Sequence, residues 1–242
     1  MKFLVIIPAR LRSTRLVEKA LIKINGIPMI VRTFLRCNKV LPKSKIIVAT
    51  DDIKIMKVCD IYKVPSILTS KNCLTGSDRV AEVAKKINAD IYINLQGDEP
   101  IFPEKDIVKF IKEACKNKNK NKILNGYCKI DNKNQFFSHN VPKVSINQFN
   151  ELLYMTRAPI PSNKQGLFKN GLRQVCIYSY PKKILIKNYG KNKKKTFLEK
   201  NEDIEILRPL EKGYKITMVK LSKKSIAIDT KTDLNKLLKI LN

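Results

Sequence analysis

Between Lys2 and Asn117, four apolar runs alternate with four stretches of helical periodicity, and that alternation constrains the fold more than any other feature. The strand-like runs are "KFLVII" (2–7), "KIIVATDD" (Lys45 to Asp52), "SILTS" (Ser66 to Ser70) and "DIYINLQGDEP" (Asp90 to Pro100). The helical stretches are "PMIVRTFLRCNKV" (Pro28 to Val40), "IKIMKVCDIYKV" (Ile53 to Val64), "GSDRVAEVAKKI" (Gly76 to Ile87) and "EKDIVKFIKEACKN" (Glu104 to Asn117). Strand and helix in turn predict an α/β fold with a doubly wound parallel sheet. Such sheets bind ligands outside the carboxyl ends of their strands. Polar clusters fall at those ends: Arg10 to Lys19 after the first strand, Thr50 to Asp52 after the second, Asp98 and Glu99 after the fourth.

The pattern changes after about residue 120. "NKILNGYCKI" and "VPKVSIN" alternate like antiparallel strands, and "ELLYMTRAPIP" (Glu151 to Pro161) reads as a strand broken by two prolines. "RQVCIYSYPKKILIKNY" predicts a strand and a helix, "FLEKNEDIEILRPLEKG" (Phe197 to Gly213) one acidic helix, and "KITMVKL" a strand. "SIAIDTKTDLNKLLKIL" predicts a strand end, a turn and a terminal helix capped near Thr230. No repeat and no long linker divides the 242 residues, so we read a single domain over 1–242, with one half at 1–120 and another at 121–242.

The charge balance, 49 Lys and Arg against 21 Asp and Glu, gives +28 and raises the question of a nucleic-acid partner. Only nine of the cations are arginine. The lysines are spread along the chain among asparagines, as in "KNKNKNK" and "GKNKKK", without the interleaved aromatics of single-strand binders. We read solvated faces and expect no nucleic acid. The longest opening apolar run, "FLVII", meets arginines at once, and no run approaches a membrane span, so we expect a cytoplasmic protein without membrane insertion. The six cysteines (37, 59, 73, 115, 128 and 176) form no C-x-x-C, and His139 has no cysteine near it, which argues against zinc and for reduced thiols. His139 reads as a surface loop residue.

"IIPARLRSTRLVEKAL" (Ile6 to Leu21) places Arg10, Arg12, Arg15 and Lys19 directly after a buried strand. It lacks both a P-loop and a G-x-G-x-x-G. Its cations suit a triphosphate, arginine as a fork and lysine as a point charge. "QGDEP" ends the fourth strand with Asp98, and "AIDT" ends a late strand with Asp229. Two carboxylates from distant segments facing a cationic loop suit Mg²⁺ on a polyphosphate. Helix capping is the competing role for each aspartate. Tyr178 and Tyr180 share one strand face, so core packing competes with ligand contact. Glu199, Glu202, Asp203 and Glu205 on an acidic helix ordinarily form a solvated face.

These motifs, in this order, resemble the CMP-sugar synthetases, and among them the 3-deoxy-manno-octulosonate (Kdo) cytidylyltransferases. The signature PAR-x-x-S-T-R-L-P-G-K-x-L is met at Pro8, Ala9, Arg10, Ser13, Thr14, Arg15, Leu16, Lys19 and Leu21. "INGIPMIVR", "IIVATDD", "TGSDRVAEV", "NLQGDEP", "NVPKV", "TRAPIP", "IYSY", "LEKNEDIEILR" and "IDTKTDL" follow, covering residues 3 to about 234. The resemblance implies a Rossmann-like doubly wound, mostly parallel sheet with helices on both faces and a smaller antiparallel dimerisation and sugar-binding region. It makes 1–120 mainly the CTP-binding half and 121–242 mainly the sugar-binding half, and it implies a homodimer.

The resemblance implies that CMP passes from CTP to the anomeric hydroxyl of Kdo, an acidic eight-carbon sugar, with release of pyrophosphate, for lipopolysaccharide synthesis. The alternative acceptor is a related acid, 8-amino-Kdo or another nonulosonic acid. The implied catalytic residues are Lys19, Arg10, Arg15 and Asp98. The implied nucleotide-binding residues are Ala9, Arg10, Ser13, Lys19, Thr75, Gly76 and Arg79. Gln96, Arg157, Gln174, Tyr178, Tyr180, Glu202 and Glu205 would surround the sugar acid, and Asp98 and Asp229 would hold Mg²⁺. Rival classes are a non-catalytic nucleotide-sugar or RNA-binding module and a nucleotidyltransferase using UTP or GTP. Departures from the family pattern are Val17-Glu18 for Pro-Gly, Gln174 for histidine, Cys176 for glycine, Ile206 for glutamine and Ser162 for tryptophan. Glu18 places a negative charge beside the expected phosphate site.

Overall fold

The computed structural model describes residues 1–13, 16–119, 121–190 and 192–241. The strands are β1 (Phe3–Ala9), β2 (Lys23–Ile24), β3 (Ile27–Pro28), β4 (Ile46–Thr50), β5 (Ser66–Leu68), β6 (Ile91–Leu95), β7 (Ile123–Lys129), β8 (Lys143–Ile146), β9 (Leu152–Thr156), β10 (Leu172–Pro181) and β11 (Ile216–Lys220). The helices are α1 (Met29–Asn38), α2 (Ile53–Ile61), α3 (Gly76–Lys86), α4 (Glu104–Ala114), α5 (Lys133–Phe137), α6 (Lys182–Asn188), α7 (Phe197–Glu202), α8 (Leu207–Glu211) and α9 (Lys231–Leu241).

The main sheet runs β11-β7-β10-β6-β1-β4-β5, with β8 and β9 branching from β10. β6, β1, β4 and β5 are mutually parallel. β1 is buried on both faces, as a strand between two helical layers must be. Its side chains alternate between layers. Val5, Ile7 and Ala9 pack with α1, α2 and α4, while Leu4 and Ile6 pack with α3 and the second half of the chain. A third, smaller cluster joins α9 through Leu237 to Ile24, Met29 and Ile228.

The smaller antiparallel region expected in the second half is present: β10 is antiparallel to β6, β7 and β8, and β8 to β9, while β11 runs parallel to β7. Two expectations are corrected. The acidic stretch 197–213 is two helices, because Asp203 takes a left-handed backbone (φ 50°) that ends α7. The segment before Asp229 is not a strand. It is tied instead by the Ile228 amide, which donates to the Asp98 carbonyl at 2.9 Å. Among the described residues no helix is long and apolar enough to cross a membrane.

Candidate active site

Because β1, β4 and β6 are parallel, the loops after them open on one side of the sheet. Arg10 and Arg12 leave the end of β1 with exposed side chains, while Ala9 is buried. With Leu11, Ser13, Val17 and Glu18 they line a hollow of about 410 Å³. Arg15 lies outside the described residues. The Leu11 amide donates to Asp51 Oδ1 at 3.0 Å, so the carboxylate after β4 fixes the start of the loop. Glu18 has a left-handed backbone (φ 48°), the conformation that glycine adopts most easily. Its carboxylate does not point a free charge at the hollow, because Lys54 Nζ donates to Glu18 Oε1 at 2.9 Å.

Lys19 follows, and its ammonium is the meeting point of the site. Nζ donates to Asp98 Oδ2 at 2.7 Å and to Asp229 Oδ1 at 3.0 Å. Burial works to lower the Lys19 pKa, but the two carboxylates outweigh it and hold the group above its ordinary value. Asp98 sits in the turn after β6. That turn is held by Thr33 of α1, whose hydroxyl donates to the Gly97 carbonyl at 3.0 Å. A Cβ on Gly97 would lie 2.7 Å from the Pro8 carbonyl oxygen, so the turn can close on β1 only with glycine there. Asp229 precedes α9. Asp233 closes that corner, its Oδ2 accepting from the Thr230 amide at 2.8 Å and the Asp229 amide at 3.2 Å.

Thr75 caps α3, and the Thr75-Gly76 turn lies against Gln96. A Cβ on Gly76 would come within 2.7 Å of Gln96 Nε2. Gln96 Nε2 donates to Glu205 Oε1 at 2.7 Å, and the Ser77 amide donates to Glu205 Oε2 at 2.8 Å. Glu205 therefore joins the α3 turn to the end of β6. Burial pushes its carboxyl up to about 7. Arg79 is buried. Its guanidinium donates to Asp51 Oδ2 at 3.2 Å and to the Ser70 carbonyl at 3.2 Å, which directs it toward bracing rather than toward the open side.

Further along, Glu202 Oε1 accepts from Thr156 Oγ1 at 2.6 Å, and Oε2 accepts from the Arg157 amide at 2.8 Å. Burial works to raise the Glu202 pKa, but these hydrogen bonds outweigh it and keep the carboxyl below the ordinary carboxylate range. The Arg157 guanidinium donates to the carbonyls of Glu202, His139 and Asp203. Tyr178 and Tyr180 are buried and stacked at 6.1 Å, and Tyr180 bonds with Ser77 Oγ at 2.9 Å, so packing accounts for both rings. Gln174 is also buried, its Nε2 donating to Asn125 Oδ1 at 3.0 Å and to the Tyr178 hydroxyl at 3.2 Å. Ile206 is fully buried in the core.

The expectation of a solvated acidic helix fails at Glu199 and Glu205, both buried. Arg208, with no exposed surface, donates to Glu199 Oε2 at 2.6 Å and to Asp78 Oδ1 at 2.7 Å, locking α8 and α7 to the first turn of α3. Sequence reasoning missed Arg208, Asp51 and Asp233 as organisers of the site. Asp51 at a strand's carboxyl end and Asp233 three residues after a capping threonine were the available signals; for Arg208 the only one was its place at the end of the motif "LEKNEDIEILR".

The family model for cytidylyltransferases matches residues 4–220. The chain is 36% identical to the 3-deoxy-manno-octulosonate cytidylyltransferase of Geotalea daltonii, over 98% of this chain and 97% of that one. The chain belongs to this cytidylyltransferase family. It is 37% identical to the protein of the same name from Nitratiruptor sp., over 97% of this cytidylyltransferase chain and 98% of that one. The solved structure of CMP:2-keto-3-deoxy-manno-octonic acid synthetase complexed with CTP has a TM-score of 0.88 at 29% identity, covering 100% of this chain and 98% of that one. HddC from Yersinia pseudotuberculosis shares the fold, with a TM-score of 0.73 at 18% identity over the full length of both.

Proposed function

We propose that this chain transfers CMP from CTP to the anomeric hydroxyl of 3-deoxy-manno-octulosonate and releases pyrophosphate. The observation that carries this reading is the convergence of Lys19, Asp98 and Asp229, three charges from remote parts of the chain, beside the cationic hollow after β1. The acceptor hydroxyl attacks the α-phosphorus, and the bond to the bridging oxygen of pyrophosphate breaks. Arg10, Ser13 and Lys19 hold the triphosphate, and the Thr75-Gly76 turn faces the base. Arg79 acts through Asp51 and Thr69 to keep the loops in place. Gln96, Arg157, Glu202 and Glu205 shape the sugar-acid side, with Tyr178, Tyr180 and Gln174 packed behind them.

Mg²⁺ fits the donor set. Two hard carboxylate oxygens converge on one point, and magnesium takes one or two carboxylates together with phosphate oxygens. Among the described residues no group of three or more Asp, Glu, His or Cys side chains offers a self-sufficient metal cage. When bound, the ion supplies positive charge to the α-phosphate and the leaving pyrophosphate. Kdo is preferred to an amino-substituted acid because two of the divergent positions, Gln174 and Ile206, are absorbed inside the fold. A homodimer is proposed through the β8–β9 hairpin, where Phe149 is 71% and Leu153 57% exposed. Light scattering that returns a monomer would remove that part of the reading.

The test is pyrophosphate release by the purified protein with CTP, Mg²⁺ and Kdo, alongside parallel reactions with 8-amino-Kdo and sialic acid. Release with Kdo is expected. Release only with another acid moves the substrate and keeps the mechanism, whereas no release with any acid overturns the activity.

A further inference from the structure

Lys19 has one ammonium group and two demands on it. It bridges Asp98 Oδ2 and Asp229 Oδ1, and the proposed function, on which this inference rests, also places it on the triphosphate. The point between the two carboxylates is the point a divalent cation would take. With the ammonium there, an oxygen of each carboxylate is already engaged. We infer that Lys19 is an internal rival of the metal ion. Bridging the carboxylates, it closes the pair to free divalent cations, and it gives the pair up when a triphosphate draws its ammonium away. Lys19 thereby makes the site selective for metal that comes with nucleotide.

The surrounding structure fits such an exchange. The backbone at Lys19 is held: the Leu21 amide donates to the Glu18 carbonyl at 2.8 Å, the Ile22 amide donates to the Lys19 carbonyl at 3.2 Å, and Ala20 is buried. Movement is therefore left to the flexible four-carbon stem, and a lysine ammonium works as a point charge that can change partners. The carboxylates do not need Lys19 to stay near each other. The Ile228 amide holds the Asp98 carbonyl, Asp233 holds the Asp229 corner, and Leu237 anchors α9. Two protein carboxylates alone leave most of a magnesium ion's coordination to phosphate and water. Linkage then requires that nucleotide raise metal affinity by the same factor by which metal raises nucleotide affinity.

The test is a titration of the nucleotide-free full-length chain with Mn²⁺, with free Mn²⁺ read by electron paramagnetic resonance and folding checked by circular dichroism. Lys19→Met should bind Mn²⁺ about tenfold tighter than wild type, a change of about 1.4 kcal/mol. The gain should vanish in Lys19→Met/Asp98→Asn, and Lys19→Arg, which keeps a cation, should show none. Equal Mn²⁺ affinity in wild type and Lys19→Met overturns the inference. So does a tenfold gain in Lys19→Arg, which stays informative if Lys19→Met does not fold. Failure of the metal reading itself has a different signature. With a non-hydrolysable CTP analogue present, Asp98→Asn would then hold Mn²⁺ as well as wild type does.

Discussion

At the scale of single residues, Glu18 and Lys54 show how a departure from the family pattern is contained. Residue 18 keeps a left-handed backbone, and its carboxylate is paired with an exposed lysine on the first turn of α2. Removing Lys54 frees a negative charge beside the hollow proposed for the phosphates. Lys54→Ala should therefore raise KM for CTP by about two- to fivefold at low salt, and the effect should shrink as salt screens it. Steady-state kinetics at two ionic strengths will read it. Asp98→Asn should abolish turnover and leave the far-ultraviolet dichroism unchanged; a variant that still releases pyrophosphate would remove Asp98 from the site. The grouping of Lys19, Asp98 and Asp229 was legible in the sequence because each sits just past a strand or beside a helix start in a distinctive motif. The inward turn of Arg79 was not, since a motif gives residue identity without side-chain direction; for Tyr178 and Tyr180 the shared strand face left core packing and ligand contact both open.

At the scale of elements, the first turn of α3 is the part most firmly held. Arg208 joins Asp78 on α3 to Glu199 on α7, with all three side chains buried, and the guanidinium also lies 4.5 Å from the centre of the Tyr189 ring. Arg208→Leu strands two carboxylates in the core and should cost about 3–5 kcal/mol, seen as a lower urea midpoint. Adding Asp78→Asn and Glu199→Gln should return part of that loss. This triad was invisible in the sequence. Glu199 and its neighbours have the spacing of a solvated helix face, and the cation that buries them lies beyond a helix break at Asp203. α9 carries a comparable duty for Asp229. Leu237→Ala opens a gap in a small cluster and should cost about 2–4 kcal/mol by thermal melting.

At the scale of the whole molecule, stability should depend on pH through Glu205. Its carboxyl is raised to about 7 from an ordinary 4.5, so the folded chain keeps a proton that the unfolded chain has already released across that interval. The stabilisation is full below the lower value and is lost as pH rises through the higher one. Burial also raises the Glu99 carboxyl to about 7, so the melting temperature should fall between about pH 5 and pH 8, and Glu205→Gln should remove its share of that slope and leave the share of Glu99. The alternation of strand and helix up to residue 117 made the parallel half of the sheet readable. The antiparallel placement of β10 between β6 and β7 was not, because no local pattern states which distant strand a run will join. That placement has a consequence on the ribosome. The edge of β6 that β10 will cover emerges with Ile91–Leu95, and the β10 residues that pair with it run from Ile177 to Pro181. At synthesis rates of 5–20 residues per second, the nascent chain carries an open apolar strand edge for roughly 4–17 seconds. Such an edge invites pairing with other chains. A cell making this protein has to shield that strand until residue 181 is out.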